Sequence, residues 1–220
     1  NDLFGALRDT PKRDYLAPGS EHIRPGMASP VYKHPWEVFR RASNPYPKGA
    51  AVLHMLRCKL GDETFFRAVA RYVDEFSFDT VETDDFRKVL EDESGRSLEH
   101  FFDQWVYRPG TPRLEVTTRW DGARSGVRIV VEQTQRVDQL HPAFAFDLPI
   151  EVHAAAGAGE GAAIRTTIPV TGKRHELFVP TEGEPAMGLI DLDWRIPAGD
   201  PDFSYTLDGV ADGAYVFDFV

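Results

Sequence analysis

The stretch "QWVYRPGTPRLEVTTRWDG", Gln104 to Gly122, is where the chain changes period. Before Tyr107 apolar residues recur three and four apart. After Pro112 they alternate with polar ones, and the Arg-Pro-Gly-Thr-Pro between suits the interior of neither a helix nor a strand. Because a helix repeats every 3.6 residues and a strand every 2, the two sides must bury their apolar residues differently. A boundary near residue 110 therefore predicts two domains, 1–110 helical and 111–220 built of strands, in an α+β chain. The length of 220 residues agrees, since domains commonly run to about 100 to 150 residues.

Working back from the boundary, Ser97 is placed to cap a helix with Leu98, Phe101, Phe102 and Trp105 in one stripe. Thr83 starts "TDDFRKVLEDESG", whose acidic first turn complements the helix dipole and whose end is marked by Gly95. Asp62 is placed to cap a helix carrying Phe65, Phe66, Val69, Val73 and Phe76 on one side. The helix before it launches at Pro47 or Lys48, carries Val52, Leu53, Leu56 and Leu60, and stops at Gly61. Ahead of Asn44, Pro11, Pro18, Pro25, Pro30 and Pro35 break the chain into loops with room for one helix at each end.

Working forward, Leu114, Val116, Thr118 and Trp120 alternate with polar neighbours, and Asp121-Gly122 is a turn signal before "VRIVVEQTQ". Strand patterns follow in "FAFDLPIEVHA", "AIRTTIPVT", "HELFVP" and "MGLIDLDW". Six short strands with no helix between them predict an antiparallel β-sandwich. The low-complexity segment Ala154 to Ala163 reads as a hairpin loop, and "AYVFDFV" near the end as either a further strand or the start of something else.

The net charge of −10 disfavours nucleic acid, whose phosphates need clustered Lys and Arg. The single cysteine, Cys58, excludes an intrachain disulfide and any multi-thiolate metal site. No apolar run reaches the ~18 residues of a membrane span. The chain starts without Met, in a helical pattern, which reads as a fragment or a processed product.

Seven histidines, His22, His34, His54, His100, His141, His153 and His175, are spread along the chain without an i, i+4 pair, and HExxH, CxxC, GxSxG and P-loop motifs are absent. No metal or cofactor site is therefore expected within these residues. His54 stands out only for lying two turns behind Tyr46. Tyr46, held between Pro45 and Pro47, falls at a helix start, where unpaired N–H groups and the positive end of the dipole favour nearby negative charge. A neutral phenol there could donate to a developing oxyanion, a contribution of roughly 3 to 4 kcal/mol, or could pack against the helix as a staple residue.

Tyr46-Pro-Lys-Gly-Ala50, Leu60-Gly-Asp with Phe65, Thr83 to Phe86, Ser94-Gly95, Phe101-Phe102 with Trp105, and Gly110-Thr-Pro112 together resemble, in order and spacing, the stretch that follows the zinc site in aminopeptidase N-type gluzincin metallopeptidases. The resemblance is strong from Tyr46 to about Val116 and weaker through "FDLPIEV" and "LIDLDW". It implies that 1–110 is the C-terminal helical part of a thermolysin-like catalytic domain. It also implies a zinc-dependent exopeptidase that removes N-terminal residues from peptides. In that family a water activated at zinc attacks the peptide carbonyl, a glutamate acts as base, and a tyrosine donates to the resulting oxyanion. Only the tyrosine has a counterpart here, Tyr46. Pro47 departs from the more usual acidic residue at its position.

The family's HExxH, third zinc ligand and Gly-x-Met-x-Asn loop precede the tyrosine and have no counterpart in this sequence. The resemblance thus implies zinc ligands upstream of this chain, with none in it, and no activity of the isolated fragment. Two other readings stand beside it. One is a non-catalytic relative serving as a scaffold or protein-interaction module. The other is a binding module carried by the sandwich, which would need a cluster of exposed aromatics; Trp120 and Trp194 fall at inward positions and are expected in the core.

Overall fold

A computed structural model describes residues 26–29, 34, 36, 45–139, 141–154, 163–181, 183–190, 207–208 and 213–217. The described chain separates into two compact units, one ending at Gly110 and the other starting at Thr111. The Ala154 to Ala163 loop lies almost wholly outside the described residues, as do Trp194 and nearly all of the proline-rich region before Asn44.

The first unit contains helices α1 (Pro45–Leu60), α2 (Asp62–Glu75), α3 (Thr83–Ser94) and the short α4 (Glu99–Phe102). α4 runs on into a wide π-type turn, Asp103–Tyr107, closed by the Arg108 N–H donating to the Asp103 carbonyl at 2.9 Å. α1 begins at Pro45, ahead of the expected start. The first N–H groups of a helix have no intrahelical acceptor, so both prolines fit the first turn without losing a bond. Its buried stripe is Lys48, Val52, Met55 and Leu56.

Gly61, with φ 81°, holds the position expected of Asp62 at the start of α2. Asp62 lies inside the first turn, and its carboxylate accepts from both arms of Arg57, at 2.8 and 2.7 Å, instead of capping. α2 buries Phe65 and Ala68, while Phe66 and Val73 face outward, against expectation. Phe65, Ala68 and Tyr72 lie on one stripe and Phe66 and Val73 on the next, so one helix cannot turn both sets inward. The Phe66 ring is instead covered by the Arg57 guanidinium, 5.1 Å from its centroid.

α3 starts and stops as its sequence demands. Glu82 and Asp85 form a reciprocal capping box, and Gly95 takes the left-handed conformation (φ 64°, ψ 18°) at the end. Tyr72 packs edge-on to Phe86 at 5.0 Å, joining α2 to α3. On the outer side Arg67 and Arg71 both reach Glu93, at 2.7 and 3.2 Å. Such exposed pairs contribute little each, about 0 to 1 kcal/mol, and mainly fix register. Leu98, not Ser97, stands at the head of α4, its N–H donating to Glu91 Oε1 at 2.6 Å. Leu98, Phe102, Trp105 and Val106 are all deeply buried.

The second unit is two four-stranded antiparallel sheets. One has the order β5-β2-β1-β8 and the other β4-β3-β6-β7. The strands are β1 (Leu114–Asp121), β2 (Gly126–Gln133), β3 (Phe146–Ala154), β4 (Ala163–Val170), β5 (Arg174–Pro180), β6 (Pro185–Ile190), β7 (Leu207–Asp208) and β8 (Gly213–Phe217). From Leu114 onward the described residues contain no helix, as the alternating pattern predicts. Leu114, Val116 and Thr118 of β1 alternate inward, joined by Val127, Ile129 and Val131 of β2 and by Leu148, Ile150 and Val152 of β3. Trp120 is only half-buried, because it closes β1 beside the turn, where its indole nitrogen lies near Gly122. The strand expected in the tail is β8, paired with β1 from Leu114↔Phe217.

Gln133, at the end of β2, is fully buried and ties that strand to the segment before β3 and to the β4–β5 connection. Its Nε2 donates to the Phe144 carbonyl (2.7 Å) ahead of β3 and to the Gly172 carbonyl (2.9 Å) between β4 and β5. Its Oε1 accepts from the Phe144 N–H (2.9 Å) and from Gln135 Nε2 (2.7 Å). A buried amide with all its bonds made is costly to remove, since each abandoned backbone group is left desolvated at about 1 to 3 kcal/mol. Gln133→Leu is therefore expected to destabilise the chain by more than about 2 kcal/mol in urea unfolding. A loss under about 1 kcal/mol would show that the hub is dispensable.

Candidate active site

The first turn of α1 carries the residues with chemical capability. Tyr46 is the second residue of the helix and 68% exposed. The same face continues through Leu53 and Arg57, which are both exposed. Pro45 and Pro47 flank the tyrosine and fix the backbone torsion on either side of it.

Two residues on, Lys48 turns the other way. Its side chain is 7% exposed, in the stripe with Val52 and Leu56, and Nζ donates to the Gly110 carbonyl at 3.3 Å. Burial, and secondarily the positive charge of Arg108, push the ammonium down from its ordinary 10.5 to about 8. A lysine whose folded pKa lies below its unfolded one binds its proton less well in the fold. At pH 7 the charged form thus costs the fold on the order of 3 kcal/mol, and the cost is relieved as pH rises from about 8 to 10.5.

Around this turn the backbone is tightly fitted. The Ala28 N–H donates to the Val106 carbonyl at 3.1 Å, so the 26–29 segment lies along the π-type turn. A Cβ on Gly26 would stand 2.0 Å from the Tyr107 carbonyl oxygen, so this position admits only glycine. A Cβ on Gly49, the residue after Lys48, would meet Met27 Sδ at 3.6 Å. The Tyr107 hydroxyl donates to Asp84 Oδ1 at 3.0 Å. Burial and this bond raise the Tyr107 phenol, while Arg87 first and Tyr107 second hold Asp84 below its usual range. Tyr107 is thereby occupied in tying the end of the unit to α3.

Four of the described histidines have local partners. His54 Nε2 lies 3.5 Å from Cys58 Sγ, one turn along α1. His34 Nδ1 accepts from the Trp36 N–H, His141 pairs with Asp138 at 2.8 Å, and His175 Nε2 accepts from the Thr171 N–H at 2.9 Å. Among the described residues no group of three His, Cys, Asp or Glu side chains could hold a metal ion. Lys48 escaped the sequence reading, which placed it only at the helix start. The signal was there: it stands four and eight residues ahead of Val52 and Leu56, on the stripe that must be buried.

Comparison with known proteins agrees with these motifs. Residues 5–105 match the peptidase family M1 domain. Aminopeptidase M1-A of Oryza sativa subsp. japonica is 35% identical over 99 residues, 45% of this chain and 10% of the rice protein. Mitochondrial aminopeptidase 2 of Saccharomyces cerevisiae is 32% identical over 77 residues, 35% of this chain and 8% of its own length. Tricorn protease-interacting factor F2 of Thermoplasma volcanium is 32% identical over 88 residues, 40% of this chain and 11% of its own length. The matched segment is thus about a tenth of each relative. Among solved structures, an aminopeptidase A of Legionella pneumophila in complex with aspartic acid has the same fold over 78% of this chain and 19% of its own, with a TM-score of 0.61 at 18% identity. Residues 5–105 thus match the domain of peptidase family M1, in line with the aminopeptidase motifs that the chain's sequence resembles.

Proposed function

We propose that this chain supplies one wall of the active site of a zinc-dependent aminopeptidase that removes N-terminal residues from peptides. In this reading the Tyr46 phenol is the hydrogen-bond donor to the oxygen that becomes negative as the peptide carbonyl is attacked. The observation that carries it is an exposed phenol on the first turn of α1, within the Tyr-Pro-Lys-Gly-Ala motif of the M1 match. A residue whose ring is left outside the core, on a turn stiffened by two prolines, suits donation to a bound substrate better than packing.

The reaction needs a donor set for zinc and a general base. The 220 residues contain no HExxH, so the proposal takes both from elsewhere in the polypeptide. Zinc would supply the Lewis acid that activates water. What this chain's own residue does is separate: the Tyr46 hydroxyl donates a hydrogen bond that strengthens as negative charge develops on the oxygen.

The isolated 220-residue chain is expected to retain no stoichiometric zinc after dialysis and to show no chelator-sensitive release of N-terminal residues from peptides. Tight zinc and turnover in the isolated chain would overturn this part of the proposal. In the zinc-loaded full-length enzyme, Tyr46→Phe removes only the hydroxyl. Turnover is expected to fall ~100 to 1000-fold, with KM, zinc content and Tm little changed, because the lost bond forms fully only in the transition state. If the folded, zinc-loaded Tyr46→Phe enzyme keeps more than about a third of wild-type kcat, Tyr46 is not the donor.

A further inference from the structure

We infer that the outer face of α2 is a self-association surface: α2 of one chain packs antiparallel against α2 of a second copy, about a two-fold axis at Ala70.

A helix on the surface of a unit needs one apolar stripe, and α2 has two. Phe65 and Ala68 are buried, and Tyr72 packs on Phe86 of α3 at 5.0 Å. Phe66, Ala70 and Val73, at i, i+4 and i+7, form the second stripe. It faces solvent, with Phe66 53% and Val73 58% exposed, and the Arg57 guanidinium over Phe66 still leaves that side chain half-exposed. Single exposed apolar residues are ordinary, but three aligned along one helix are the pattern of a helix packed on two sides.

The stripe is complementary to itself. Phe66 lies four residues before Ala70 and Val73 three after, so reversing α2 against its copy sets each Phe66 beside the second copy's Val73. Ala70 meets its own image, and a side chain so small lets the two backbones approach to the roughly 8 to 10 Å of packed helices. The charges at the margin agree. Glu63, Arg67 and Asp74 run along one side of the stripe, as the Arg67–Glu63 pair at 3.5 Å shows for the first two. Arg67 is three residues before Ala70 and Asp74 four after, so the same reversal sets Arg67 against the second copy's Asp74, twice by symmetry. A parallel pairing would set Arg67 against Arg67 and Asp74 against Asp74, and like charges select against it. Arg67 already holds Glu93 at 2.7 Å, but its side chain remains 49% exposed, and a guanidinium has donors for a second carboxylate. α2 has 14 residues and is about 20 Å long, too short to bury the ~1,200 Å² of a stable complex, so the association is weak and set by concentration.

Sedimentation equilibrium of the 220-residue chain is the test. The mass is expected to rise from the 24.7 kDa of the monomer towards twice that between about 10 and about 500 μM. Ala70→Glu, a good helix former at an exposed position, is expected to keep Tm and to hold the chain monomeric over that range, because two carboxylates would face each other at the axis. Asp74→Arg and Arg67→Asp each set like charges across the contact and are expected to weaken association about 10-fold or more. An equimolar mixture of these two variants is expected to regain it, since every margin residue then meets its opposite. If Arg67→Asp loses its fold through Glu93, the Ala70→Glu arm decides alone. The inference is overturned if the wild-type chain stays monomeric at about 500 μM, if Ala70→Glu associates as wild type does, or if the mixture of folded variants associates no better than either one. A monomeric wild-type chain, together with a full-length enzyme that loses several degrees of Tm on Ala70→Glu, overturns it too and gives the stripe to the enzyme's own remaining residues.

Discussion

The helical unit is organised by the burial of Trp105. With Leu98, Phe102 and Val106 it forms a cluster that water barely reaches, and burying side chains of this size is worth roughly 1.5 to 3 kcal/mol each. To turn Gln104, Trp105 and Val106 inward together, the chain widens from an α to a π repeat over Asp103–Tyr107. Widening changes which backbone groups are used internally, and the Val106 carbonyl is taken by the Ala28 N–H. The close approach that follows explains the glycine at 26, whose missing Cβ makes room for the Tyr107 carbonyl. The same chain segment then delivers Gly110 to the Lys48 ammonium. One aromatic burial thus propagates, through the backbone it reshapes, to the turn that carries Tyr46.

That turn presents opposite faces to opposite environments. Tyr46 is turned out and Lys48 in, two residues apart, as a helix requires of positions about 200° around its axis. The chemistry of the two residues is inverted relative to hydrophobic expectation, since the aromatic ring is exposed and the charge is buried. Such inversions are the places where local rules give way to function, and here two adjoin within one motif.

How much of this was legible follows from which forces act locally. Helix periodicity, the Gly95 stop and the strand alternation of β1 and β2 are set within a few residues, and they emerge where the pattern puts them. Asp62 misled because a good capping residue found a better partner in Arg57, a competition that propensity does not weigh. Phe66 misled because an exposed cation can cover a ring that a periodicity count would bury. The π-type turn has no composition of its own, as it is imposed by the burial of Trp105. The two-residue β7 exists only through its pairing with β6. Tyr46 is singled out by its motif alone. Its exposure, and the burial of Lys48, depend on what the rest of the unit covers.

The two units also differ in how they treat buried polar groups. In the sheet unit Gln133 makes four side-chain hydrogen bonds, Thr181 spends its hydroxyl on the Gly183 carbonyl, and buried Glu151 is matched by Arg165. Thr118 is the exception there, a buried hydroxyl without a hydrogen-bond partner, but a neutral hydroxyl is a modest penalty. These groups are spent on architecture. In the helical unit the comparable position is filled by an ammonium whose pKa is forced down to about 8. Stability alone would replace that charge with carbon, so its presence beside an exposed phenol is a strain carried by the part of the chain where the peptidase match lies. The sheet unit thus satisfies most of its buried polar groups with hydrogen bonds, whereas the helical unit keeps a buried charge at a cost to its stability.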